Sequence, residues 1–170
     1  MNSKQKINLG FSLIEIMVVT TIFALLGVLV SQSLALSIRG SKKSEASSKI
    51  RSSLSGATGI IERQLRNANS ITECNTDENP NKVIYTDEVG EAASFACSGN
   101  TIASASASLA ATNLIDTASV SVTTCTIACS LDTEGVTDSV VVSLTGKDPN
   151  ITGAESAEVS IQSRILLRNY

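Results

Sequence analysis

The chain has 170 residues, with four cysteines, no histidine, no tryptophan and a net charge of −3. This length is enough for one domain of ordinary size with an extension. Without histidine, the chain cannot build Ser-His-Asp or Cys-His nucleophile arrangements or histidine-based metal sites, and it shows no glycine-rich phosphate loop, so the sequence indicates a non-enzymatic protein without a cofactor.

The charges are distributed unevenly along the chain. Residues 11–68 carry seven basic and three acidic residues, whereas residues 69–170 carry four basic and thirteen acidic residues. Non-specific affinity for nucleic acid comes almost entirely from lysine and arginine. The acidic C-terminal part therefore disfavours nucleic acid as a partner.

The N-terminal segment predicts a helix that crosses a membrane. A short polar segment, residues 1–10, precedes a mostly apolar run, residues 11–38, in which Glu15 is the one charged residue. As a helix with a rise of 1.5 Å per residue, the run would be about 42 Å long, and a hydrocarbon core is about 30 Å thick. Placing an acidic side chain at mid-bilayer costs roughly 2.5–3.5 kcal/mol of free energy. An acidic residue inside a membrane-spanning segment therefore predicts a functional role, here for Glu15.

Gly10, Phe11 and Glu15 together resemble the N-terminus of type IV pilins and type II secretion pseudopilins. In that family, a basic leader ends in glycine, a phenylalanine or methionine follows, and a glutamate occupies the fifth position after the cut. The resemblance covers about residues 4–35.

The resemblance implies how the chain is processed and with what it assembles. A prepilin peptidase would cut after Gly10 on the cytoplasmic side and methylate the new amino group of Phe11. The retained helix would be anchored in the lipid bilayer, and an inner-membrane assembly platform would later move it into a filament of pilin or pseudopilin subunits. There the amino group of one subunit could meet Glu15 of a neighbour and set the register.

An ordinary secretory signal peptide is the alternative for this segment, since Ser33-Leu34-Ala35 could pass as a small-residue cleavage site. Such peptides have apolar regions of about 7–15 residues without an acid. The run from Leu13 to Val30 has 18 residues and includes Glu15. We therefore favour the pilin-like interpretation.

The distribution of basic residues around the apolar run conflicts with that orientation. Lys4 and Lys6 lie on the expected cytoplasmic side, but Arg39, Lys42 and Lys43 lie just past the other end. The positive-inside rule alone would favour the opposite orientation. We give the leader motif more weight than the distribution of basic residues. The motif predicts a single-pass membrane protein with a cytoplasmic N-terminus and an extracytoplasmic head.

Residues 39–68 predict an amphipathic continuation of the helix that ends near residues 67–70. Apolar residues recur at spacings of three and four, as on one helical face. We expect this face to pack against a β-sheet. Its members are Ile50, Leu54, Ala57, Ile61, Leu65 and Ala68.

Residues 69–170 predict a β-rich head, so the expected fold class is α+β, with a long helix packed on a mostly antiparallel sheet. Residues 98–100 predict a tight turn between two hairpin strands. The small-residue tract 103–111 is either a loop or a weak strand. The other candidate strands are 71–74, 82–86, 93–97, 101–105, 118–124, 139–145 and 157–167.

The four cysteines, Cys74, Cys97, Cys125 and Cys129, all lie in the predicted head. An even number in an exported domain indicates disulfides. We expect a tight Cys125–Cys129 loop and a Cys74–Cys97 bridge. A zinc site of four thiolates fits less well, because such sites pair close cysteines twice.

The remaining acidic residues predict turns rather than a metal site. Asp77, Glu78, Asp87 and Glu88 could bind calcium, but the EF-hand pattern is missing, so solvated turn carboxylates are favoured. The sequence thus predicts a minor pilin or pseudopilin; the alternative is a pilus-borne adhesin or DNA-uptake receptor that presents the head. It does not distinguish a twitching pilus, a secretion system and a competence apparatus.

Overall fold

The computed structural model describes residues 10–107, 109–131 and 137–167. The chain divides into two compact units, with the boundary between Ser41 and Lys42. Within these residues, one α-helix, eight strands and one short 3-10 helix follow in chain order: α1 Leu13–Arg66, β1 Ser70–Cys74, β2 Lys82–Thr86, β3 Ala92–Ser98, β4 Thr101–Ser106, β5 Leu109–Asn113, β6 Ser121–Leu131, β7 Thr137–Lys147, the 3-10 helix Gly153–Glu155 and β8 Glu158–Leu166.

The first unit, up to Ser41, contains the apolar part of α1. Its side chains from Gly10 to Ser41 are all exposed. By length and composition this part of α1 is a candidate membrane span. The predicted apolar helix is therefore confirmed, while the predicted leader, apart from Gly10, lies outside the described residues.

In the second unit, one face of α1 packs on β-structure. The predicted apolar face is confirmed for its first five residues, all of which are buried, whereas Ala68 is buried just past the end of the helix at Arg66. Thr58 joins this face, and its hydroxyl donates a hydrogen bond of 2.8 Å to the carbonyl oxygen of Leu54. The buried residues of the helix are Ala46, Ile50, Leu54, Ala57, Thr58, Ile61 and Leu65.

Strands β1 to β5 form a five-stranded antiparallel sheet in sequential order. The predicted hairpin between β3 and β4 is present. Gly99 in its turn has a φ of 54°, in the left-handed region that favours glycine. Val83, Tyr85 and Phe95 alternate with more exposed neighbours and place their side chains in the core.

Strands β6, β7 and β8 form a second, three-stranded antiparallel sheet. Val140, Val142 and Leu144 of β7 are buried on its inner face. Gly146 of the same strand lies against the helix, where an added Cβ would be 3.0 Å from Val120 Cγ1 and 3.4 Å from Leu54 Cδ2. A side chain at this position would have to displace one of these neighbours.

The α+β class, with a long helix packed on antiparallel β-structure, is confirmed, but the strands divide into two sheets. The predicted strand 118–124 is observed as β6, which begins at Ser121 and extends to Leu131. The small-residue tract contributes the end of β4 and the start of β5. The predicted strand 101–105 is confirmed as β4, and β5 shows that the end of the tract is a strand, which alanine and serine signal only weakly. The division into two sheets was not predicted.

The predicted disulfide pairing is wrong. The bridges join Cys74 to Cys129 and Cys97 to Cys125, with Cα–Cα distances of 6.2 and 5.7 Å. Cys125 and Cys129 both belong to β6, where four residues span about 13 Å, and a disulfide needs Cα atoms less than about 7 Å apart. The local loop that we expected cannot form within a strand.

The two bridges join the sheets to each other. Each one links the edge strand β6 to the five-stranded sheet, at β1 and at β3. Two hydrogen bonds extend this contact: Val122 N–H donates to the Asn100 carbonyl oxygen at 3.0 Å, and Ile127 N–H donates to Asn81 Oδ1 at 3.4 Å. The edge of β6 that does not pair with β7 is thus attached to the five-stranded sheet by two disulfides, and these two hydrogen bonds add to the attachment.

Candidate functional site

The junction between Gly10 and Phe11 is exposed and lies before the first helical residue. Both residues are non-helical, and Phe11 is 77% exposed. A Cβ added at Gly10 would have no neighbour within 4 Å. This peptide bond is therefore open to a protease that needs a non-helical backbone.

The helix begins immediately after this junction, with Ser12 as its cap. The Ser12 carbonyl oxygen accepts hydrogen bonds from Glu15 N–H at 3.0 Å and from Ile16 N–H at 3.2 Å. Ser12 and Glu15 stand three positions apart, which is the sequence pattern of a capping box. The two side-chain hydrogen bonds of a capping box are absent among the described contacts, so the Glu15 side chain does not cap the helix here.

The Glu15 carboxylate has no hydrogen-bond or ion-pair partner among the described residues. The side chain is exposed in the first turn of α1. A carboxylate near a helix N-terminus is stabilised by the helix dipole. Gly10, Phe11 and Glu15 thus lie close together in the sequence at the start of α1. The Glu15 carboxylate is accessible to a group from another molecule.

The apolar part of α1 presents large hydrophobic side chains on all sides, such as Phe23 (77% exposed) and Leu36 (69%). Three of its hydroxyls are satisfied inside the helix. Those of Thr20, Thr21 and Ser31 donate to carbonyl oxygens four residues earlier, at 2.9, 2.8 and 2.8 Å. Lipid cannot hydrogen-bond such groups, so this arrangement suits a bilayer or a helix bundle.

The second unit carries an open cleft of about 560 Å³ between the last turns of α1 and the five-stranded sheet. The floor of this cleft consists mainly of alanine, serine and threonine, whose short side chains leave the space. The charged residues of its lining are Arg63 of the helix and Asp87 and Glu88 of the segment between β2 and β3.

Tyr85 links α1 to the five-stranded sheet beside this cleft. Its hydroxyl donates a hydrogen bond of 2.8 Å to Gln64 Oε1, and its ring stacks on Phe95 with a centroid distance of 5.5 Å. Burial, with a smaller contribution from the Asp87 carboxylate, raises the pKa of Tyr85 to about 12. The phenol therefore stays protonated and acts as a structural donor.

Two of the acidic residues in the head are built into turns. The Asp87 carboxylate accepts N–H bonds from Val89 and Glu91, both at 2.9 Å. The Ser119 hydroxyl, followed by the Ala118 N–H, lowers the pKa of Asp116. Within the described ranges, no three His, Cys, Asp or Glu side chains form a group able to hold a metal ion.

Comparisons with models of known protein families, with curated proteins and with solved structures find no match to this chain.

Proposed function

We propose that this chain is a non-enzymatic filament subunit of the pilin type, a minor pilin or pseudopilin that a prepilin peptidase processes after Gly10. The observation that carries the proposal is Gly10, Phe11 and Glu15 at the entrance of a fully exposed apolar helix. The same helix continues into a disulfide-linked β-rich unit. Filaments of type IV pili, type II secretion or competence systems would all use such a subunit.

The chemistry of the first turn supports this assignment. Cleavage after Gly10 would leave a cationic amine on Phe11, four positions before Glu15. In a bundle of such helices, the amine of one copy could pair with the open carboxylate of the next. Removing one partner of a buried ion pair costs about 3–5 kcal/mol, so such pairing would penalise wrong axial positions of a subunit.

The apolar helix suits two successive environments. Its exposed side chains would contact lipid before assembly and the helices of other subunits afterwards. Because the hydroxyls of Thr20, Thr21 and Ser31 are already satisfied within the helix, neither environment has to supply hydrogen bonds to these three groups. Disulfides persist in oxidising compartments, which supports placing residues 42–167 outside the cytoplasm, on a periplasmic pseudopilus or an extracellular filament.

The direct test is the N-terminus of the mature chain after co-expression with a prepilin peptidase. We expect a chain that begins at methylated Phe11, and we expect Gly10→Val to block the cut because it adds a branched side chain at the junction. Gly40→Val, at an exposed glycine of α1, is the matched control. A mature chain that begins at Leu36 or retains residues 1–10 would contradict the proposal.

The cleft favours a second candidate, a head that presents a binding surface as an adhesin or a DNA-uptake receptor does. Asp87 and Glu88 in its lining disfavour a phosphate backbone, since they would repel it. Titration of the full chain with duplex DNA at low salt checks this candidate. Strong, salt-dependent binding would support the DNA-receptor version.

A further inference from the structure

Three basic residues follow the apolar part of α1 directly. Arg39, Lys42 and Lys43, which we name the basic segment, come one, four and five positions after Ile38, the last large apolar residue of the run. All three are exposed, and α1 continues through them without a break.

The basic segment forms no ion pair within the part of the chain that the structure describes. There the single ion pair within 4.0 Å joins Glu62 and Arg66. Arg39 stands three and four positions before Lys42 and Lys43, the spacings at which like charges on a helix repel each other, and the acidic Glu45 stands three positions after Lys42 without pairing with it. The three cations are therefore available to an anion from outside the chain.

The position of the segment along the helix identifies the anion. At 1.5 Å per residue, the three Cα atoms lie about 1.5 to 7.5 Å beyond Ile38 along the helix axis. The polar layer on each side of a bilayer is about 5 to 7.5 Å thick. The run of about 42 Å is longer than the hydrocarbon core of about 30 Å. If Ile38 lies at the edge of the core and the excess length extends past the opposite edge, the three cations stand at the depth of the lipid phosphates.

We propose that the basic segment binds the headgroups of anionic phospholipids at the membrane surface from which α1 emerges. This inference rests on the membrane-anchored stage of the proposed function. It also gives a reason for the basic residues that conflict with the positive-inside rule, since their partners are lipids. Movement of the helix into a filament would break these contacts, so anionic lipid would oppose extraction.

The experiment compares lipid retention by two charge-matched double variants of the full chain. The protein is reconstituted into bilayer nanodiscs with equal amounts of phosphatidylglycerol and phosphatidylcholine, and native mass spectrometry of the released protein gives the ratio of the lipids that remain bound. Lys42→Gln/Lys43→Gln removes two charges of the basic segment. Lys49→Gln/Arg51→Gln removes two exposed charges about 16 and 20 Å beyond Ile38.

We expect the wild-type chain to prefer phosphatidylglycerol, and we expect Lys42→Gln/Lys43→Gln to lower this preference roughly fivefold for each base removed. Lys49→Gln/Arg51→Gln should leave it within about twofold, because its charges lie more than a Debye length of about 8 Å past the headgroup layer. Inorganic phosphate in place of lipid should show no retention, which separates a lipid headgroup from a free anion. Circular dichroism should be the same for all three proteins.

Other results overturn the inference. An unchanged lipid ratio in Lys42→Gln/Lys43→Gln, or an equal fall in both variants, shows that the basic segment is not the lipid site. If the ratio is unchanged but carbodiimide cross-linking between copies falls, the anion is an acidic head of a second copy. In each case processing after Gly10 still stands, whereas a wild-type chain that does not fractionate with membranes removes the membrane-anchored stage itself.

Discussion

Residues 10–41 and residues 42–167 differ in whether their apolar side chains are buried: the first region exposes them, and the second region packs many of them in a core. All of the buried hydrophobic side chains in the described chain belong to the second region, which also contains both disulfides. The first region buries none of its side chains and satisfies its backbone by helical hydrogen bonds alone. The difference indicates that the second region carries its own stability, whereas folding of the described chain leaves the apolar surface of the first region uncovered.

The largest effect that we predict is for a substitution of Glu15 in the first region. Glu15→Ala should reduce incorporation into filaments by more than 100-fold, because loss of one partner of a buried ion pair costs about 3–5 kcal/mol. Incorporation is measured by pelleting filaments from cells that express the assembly machinery. Thermal unfolding of the second region should not change.

Two further variants separate the possible roles of Glu15. Glu15→Gln keeps the length and polarity of the side chain but loses the charge. We expect it to fail like Glu15→Ala, and normal incorporation would show that the charge of Glu15 is not required. Glu45→Ala, at an exposed position of the same helix, is the control and should assemble normally.

Removal of the disulfides should affect the second region alone. Loop entropy predicts losses of about 4 kcal/mol for Cys74→Ala/Cys129→Ala and about 3.5 kcal/mol for Cys97→Ala/Cys125→Ala, given sequence separations of 55 and 28 residues. Chemical denaturation with tyrosine fluorescence measures the loss. Peptide mapping without reductant should recover these two pairs, and a Cys125–Cys129 peptide would contradict the topology.

A pair of leucine substitutions on one helix compares the two regions most directly. Leu54 is fully buried, so Leu54→Ala should lower the free energy of unfolding by about 3 kcal/mol. Leu34 is 60% exposed in the first region, so Leu34→Ala should leave unfolding of the second region unchanged. Equal losses in both variants would mean that the two regions unfold as one unit.

Sequence periodicity was enough to predict α1 and its buried face, because the apolar spacing in residues 50–68 has one solution as a helix. It was not enough to predict the disulfide pairing or the two sheets. Pairing depends on which strands lie side by side, and β6 contacts β1 and β3 across long sequence separations. The small residues of β4 and β5 carry no alternating apolar pattern, so only pairing with neighbouring strands defines them.

The smallest loss of stability that we predict is for a substitution of Tyr85 in the second region. Tyr85→Phe should cost about 1 kcal/mol at neutral pH, since it removes the hydrogen bond to Gln64. Because burial raises the pKa of the folded phenol to about 12, the contribution of Tyr85 is complete below pH 10, the ordinary value, and is lost as the pH rises from 10 to 12. The free energy of unfolding of the wild type should therefore fall faster than that of Tyr85→Phe across this range. Parallel slopes in urea titrations of the two proteins would show that the phenol ionises as freely in the folded state as in the unfolded chain.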